Sequence, residues 1–107
     1  MRAINIAVDI DWIITNEAEW WIYENKTPNK EVIEIINWLH ENWNTIILYT
    51  ARDIVDKKIT LKWLEDNWVK YDDIIFWKPK YDILIDDRAV NNLDWLNEML
   101  WKFISQE

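Results

Sequence analysis

Four short apolar runs separated by helical patterns restrict this chain to one kind of architecture. Residues 3–8, Ala-Ile-Asn-Ile-Ala-Val, are followed by Thr45-Ile46-Ile47-Leu48-Tyr49-Thr50, by Ile74-Ile75-Phe76 and by Asp82-Ile83-Leu84-Ile85. The first run is almost continuous in apolar character, as a parallel strand covered on both faces is. After it, Val32, Ile35, Ile36, Leu39 and Trp43 recur at i, i+3, i+4, i+7 and i+11. That spacing predicts one buried stripe on a helix over 29–42, opened by Thr27-Pro28-Asn29. A second helix is expected over 54–67 with Leu61, Leu64 and Trp68 inward, and a third over 89–104 with Leu93, Leu96, Leu100 and Phe103 inward. The order β-α-β-α-β-β-α predicts an α/β fold, a three-layer Rossmann-like sandwich on a mainly parallel sheet. At 107 residues, 1–107 is expected to be a single domain. Residues 12–28 show no period and carry Trp20, Trp21 and Tyr23. They are expected to form a short flap over the end of the first strand, its aromatics packed onto the body.

Right-handed crossovers bring the C-terminal ends of parallel strands to one edge, where ligands bind in such sheets. The residues delivered there are Asp9 and Asp11, then Thr50, then Lys78, then Asp86 and Asp87. If the first strand runs through Asp11, alternation points both of its acids to one face and sets two negative charges a few ångströms apart. A hard divalent cation, Mg²⁺, is the usual compensation. Each group alone has a plainer reading: an aspartate closing a strand caps a turn, Thr50 does the same, Lys78 is a surface lysine, and Asp86-Asp87 caps the last helix. Suitable groups at four successive strand ends favour a site.

The charge balance narrows the partners. A net charge of −8 argues against nucleic acid and against anionic membrane surfaces. With no cysteine and a single histidine, His40 near a helix end, thiolate metal sites, disulfides and a Ser-His-Asp triad are all excluded. The opening residues form a strand pattern rather than a basic segment and a long apolar stretch, so a cytoplasmic protein is expected.

One feature of composition is abnormal. The chain has no glycine and ten tryptophans, where average usage would give roughly seven glycines. Trp43 and Trp68 stand where helical patterns end, and Trp12 and Trp77 stand in loops, all places where glycine serves positive φ. With a composition heavy in Ile, Asn and Lys, this suggests that some tryptophan positions are UGA codons read as glycine by the source organism. The alternative is a Trp-rich core, and the intact mass of the native protein separates the two.

The order Asp9-Ile10-Asp11-Trp12-Ile13, Thr50, Lys78-Pro79 and Asp86-Asp87 resembles the four motifs of the haloacid dehalogenase (HAD) superfamily of phosphatases. The resemblance covers nearly the whole chain, and residues 47–52 and 78–89 are similar in detail to small cap-less members, including capsule-biosynthesis phosphatases. It implies Asp9 as the nucleophile that forms an aspartyl-phosphate, and Asp11 as general acid and base. It implies Mg²⁺ held by Asp9, the Asp11 carbonyl and Asp86, with Asp87 assisting. Thr50, the Ala51 N–H and Lys78 would hold or neutralise the phosphoryl group. Arg52 and Arg88 are further candidates for substrate anions, with ion pairs to surface acids the expected role. Trp12-Ile13 and Trp77 depart from the Gly-Thr and Gly common at those positions, and an indole in either loop could strain the backbone or block entry.

The implied substrate is a small phosphorylated metabolite such as a sugar phosphate. No large insertion supplies a cap, so the site is expected to be open, or closed by the flap or by a neighbouring subunit of a homo-oligomer. Three alternatives use related parts. A dehalogenase would not need Asp11, Asp86 and Asp87. A phosphoaspartate receiver would carry its acceptor mid-chain, where residues 44–51 hold no acid. A non-catalytic interaction protein would keep the fold and present Trp20, Trp21 and Tyr23.

Overall fold

The computed structural model of the chain describes residues 3–15, 26–77, 83 and 85–87. Strand β1 (Asn5–Asp9) runs into a wide helical turn over Ile10–Ile14, followed by helix α1 (Lys30–Glu41) and strand β2 (Thr45–Tyr49). A short 3-10 turn (Ile54–Asp56), helix α2 (Lys57–Asp66) and strand β3 (Asp73–Ile75) complete the series. The strands lie in the order β1-β2-β3 and pair in parallel, so α1 and α2 lie in the crossovers that parallel pairing demands. Asp9 lies opposite Tyr49, and Tyr49 opposite Ile75, so the three C-terminal ends finish level.

The fold among these residues is therefore a small α/β unit on a parallel sheet. Central β2 buries Ile46 and Leu48 completely, and Val32, Ile33, Ile36 and Leu39 of α1 join them with Ile10, Ile14, Trp63, Leu64 and Val69. Full burial of an aliphatic side chain of this size contributes about 1.5–3 kcal/mol, which makes this cluster the main source of cohesion. The expected coverage of the first strand on both faces does not hold here: Asn5 and Ala7 are exposed while Ile6 and Val8 pack against the core.

Both helices end differently from the periodic pattern. Trp43, expected to extend the α1 stripe, is 88 % exposed, and Trp68, expected inward from α2, is 81 % exposed. In each case the chain has already left the helix. Trp43 N–H donates to His40 O at 3.1 Å and Asn44 N–H to Leu39 O at 3.2 Å. Trp68 N–H donates to Glu65 O at 3.1 Å and Val69 N–H to Leu64 O at 3.0 Å. These paired 5→2 and 6→1 bonds are Schellman terminations, and they swing the C′ residue away from the core. The inward residues of α2 are Thr60, Trp63 and Leu64, with Leu61 only partly covered.

Polar side chains fasten the edge where the helices end. Asn44 is buried; its Oδ1 accepts from Ile4 N–H at 3.1 Å and its Nδ2 donates to Leu39 O at 2.9 Å. Asn37 Nδ2 donates to Trp68 O and its Oδ1 accepts from Lys70 N–H, both at 2.8 Å. Asp72 Oδ2 accepts from Ile46 N–H at 2.8 Å, extending the ladder between β2 and β3.

The flap expected over 12–28 begins as the turn at Ile10–Ile14, with Thr15 bridging Pro28 and Asn29 N–H donating to Ile14 O at 2.8 Å. Trp20, Trp21 and Tyr23 lie outside the described residues. So do all of the expected third helix and two residues of the fourth strand, of which Ile83 and Ile85 are described, exposed and outside the sheet.

Candidate functional site

The level ends of β1 and β2 set Asp9 beside Tyr49 and lead directly into Asp11 on one side and Thr50-Ala51-Arg52 on the other. The strand stops at Asp9, and Asp11 belongs to the helical turn that follows, closed by Thr15 N–H donating to Ile10 O at 3.1 Å. Strand alternation therefore does not reach Asp11, and its direction is set by the turn instead.

That turn aims Asp11 at a buried arginine. Arg52 Nε donates to Asp11 Oδ2 at 3.0 Å and Nη2 to Oδ1 at 2.7 Å, a bidentate pair. Arg52 Nη1 donates to Thr60 Oγ1 at 3.0 Å, and Thr60 Oγ1 donates to Asp56 O at 2.8 Å. A second buried cation, Lys26, places Nζ 3.5 Å from Asp11 Oδ1. Two desolvated cations around one partly exposed carboxylate form an arrangement in which each charge depends on the others, because an unpaired buried charge is strongly unfavourable. The ion pair expected of Arg52 is made with Asp11, an acid of the candidate site.

Thr50 is fully buried behind this pair. Its N–H donates to Ile75 O at 3.0 Å, and its Oγ1 accepts from Arg52 N–H at 3.1 Å. The hydroxyl thereby fixes the turn that delivers Arg52. Trp77 N–H donates to Arg52 O at 3.2 Å, tying the end of β3 to the same turn. Trp77 has φ 64° and is 63 % exposed.

Four elements thus converge: the end of β1, the turn after β2, the start of α2 and the segment at Lys26. Lys26 and Thr60 were not legible in the sequence. Lys26 sits in the aperiodic stretch, and Thr60 looks like a polar helix position; only the Arg52-to-Thr60 spacing across the helix start offers a signal for the latter. Trp63 adds to the frame by donating Nε1 to Lys26 O at 2.8 Å.

Lys78, Pro79 and Arg88 lie outside the described residues, and Asp86 and Asp87 are exposed. Among the described residues, no three His, Cys, Asp or Glu side chains converge into a group that could hold a metal ion. Asp11 directs its carboxylate to Arg52 and Lys26.

No known protein-family profile matches the chain, and no curated protein matches it. Among solved structures, it is similar to a target protein from Vibrio cholerae, with TM-score 0.77 and 28% identity over 96% of this chain and 98% of that one. It is also similar to a chain of a Pnkp1/Rnl/Hen1 complex, with TM-score 0.61 and 16% identity over 92% of this chain but 33% of the other. The second likeness is one of fold alone. No helix among the described residues is long and apolar enough to cross a membrane.

Proposed function

We propose that this chain is a HAD-type phosphomonoester hydrolase acting through Asp9 on a small phosphorylated metabolite, in the cytoplasm. The observation that carries the reading is the meeting of Asp9, Asp11, Thr50 and Arg52 at one parallel-sheet edge, with Asp11 held by two buried cations. The expected third layer, with residues 89–104 as its helix, belongs to the same proposal.

In this reading an Asp9 carboxylate oxygen attacks phosphorus in line, forming an acyl-phosphate bond as the ester P–O bond breaks. Asp11 gives its proton to the departing alkoxide. Water then attacks the acyl-phosphate, Asp11 takes the water proton, and inorganic phosphate leaves with Asp9 restored. Both Asp11 oxygens accept from Arg52, so one of these bonds opens for Asp11 to carry the proton it transfers. Thr50 accepts from Arg52 N–H, which leaves its own hydroxyl hydrogen for a phosphoryl oxygen, with Ala51 N–H beside it. Lys78 would balance phosphoryl charge. Mg²⁺ would be held by Asp9, the Asp11 main-chain carbonyl and Asp86, with Asp87 assisting, and would offset the repulsion between carboxylate and phosphate; its requirement is read by the assay.

The test is hydrolysis of a small aryl phosphate with and without Mg²⁺, beside the Asp9→Asn variant. Turnover that needs Asp9 supports the proposal; turnover unchanged in Asp9→Asn overturns it. The pairing of both Asp11 oxygens with Arg52 favours one second reading, a catalytically inactive protein that keeps the fold for interaction. Absence of both turnover and Mg²⁺ binding would favour that reading.

A further inference from the structure

Three described residues adopt positive φ: Trp43 at 69°, Trp68 at 61° and Trp77 at 64°. All three are tryptophan, a type that fills fewer than a tenth of the positions in a chain without glycine. The left-handed region crowds any Cβ against the neighbouring carbonyl, and an aromatic side chain gains nothing there to offset it. Trp43 and Trp68 occupy the C′ position of complete Schellman terminations, the helix-end position that glycine fills most often. Their side chains are almost wholly exposed, so packing does not explain the residue type. Trp77 shows the same φ at the turn joining β3 to Arg52 and is exposed as well.

Trp63 is the internal contrast. It lies within α2, is buried, and donates its indole N–H to Lys26 O. There the backbone needs no glycine and the side chain has a defined place.

We infer that the natural protein carries glycine at positions 43, 68 and 77, each encoded by UGA and translated as glycine in the source organism. Glycine at 43 and 68 ends both helices without Cβ strain, and glycine at 77 passes the site edge without an indole. The inference stands whether or not the site hydrolyses phosphate esters.

Two measurements test it. Peptide mass mapping of the protein isolated from its own source is expected to show glycine at all three positions; tryptophan at any of them overturns the inference for that position. In recombinant protein of the written sequence, Trp43→Gly and Trp68→Gly are each expected to raise the folding equilibrium constant about tenfold. Trp63→Gly is expected to lower it. A fall in the constant for either C′ variant would overturn the structural basis.

Discussion

The two edges of the sheet use polar side chains in opposite ways. At the edge where α1 and α2 end, Asn37, Asn44 and Asp72 bond to main-chain groups and replace ladder or cap hydrogen bonds. At the other edge, Arg52, Asp11, Lys26 and Thr60 bond chiefly to one another. Side chain to main chain is the economy of a scaffold, since each bond satisfies a group the fold itself left open. A charged network of side chains satisfies groups that the fold did not require to be buried. Its presence is better explained by chemistry than by stability, because such a network is at best a weak stabiliser beside apolar packing.

The largest effect expected from this contrast is Asp9→Asn, which should reduce phosphate-ester turnover on the order of 10⁴-fold. Turnover is read with the aryl phosphate and unfolding by circular dichroism. Next comes Arg52→Ala. It removes both bonds to Asp11 and leaves Lys26 as that carboxylate's remaining buried cation, so it should cost about 3 kcal/mol in urea unfolding and also abolish turnover. Asn44→Ala at the opposite edge should cost about 2 kcal/mol through two lost bonds in a buried setting, with the turnover of the folded fraction retained. A selective loss of turnover in Asn44→Ala would break the division between the edges. The smallest effect is expected for Lys62→Ala, whose i,i+4 pair with Asp66 is solvent-exposed; its melting temperature should match the parent.

The parallel strands and both helices were legible because their periods are long enough to separate from chance. Strand β2 and helix α1 each matched the expected span to within about one residue, inside the usual boundary uncertainty. The inward placement expected of Trp43 and Trp68 fails for a physical reason. Periodicity records spacing along the chain, whereas termination depends on φ, so Trp43 and Trp68 continued the pattern on paper after the backbone had turned. The same limit explains Asp11, whose orientation follows from a helical turn and not from the strand before it. Arg52 was named as a candidate for substrate anions, yet its role was assigned to surface ion pairs, since burial is not written in a charged residue's identity. Lys26 lies far from Asp11 in sequence, and only the Thr15–Pro28 bridge and the Trp63 bond reveal why it returns to the site.

That bridge has an evolutionary consequence. The two ends of the segment between residues 15 and 28 are fastened to each other by the Thr15–Pro28 pairing and the Asn29-to-Ile14 bond. With its ends fixed by groups outside the segment, doubling its length would cost only about 0.6 kcal/mol of closure entropy. The fastened ends are thus a port at which descendants of this chain can acquire new chain while the sheet is inherited unchanged. A variant lengthened there should keep the parent's melting temperature.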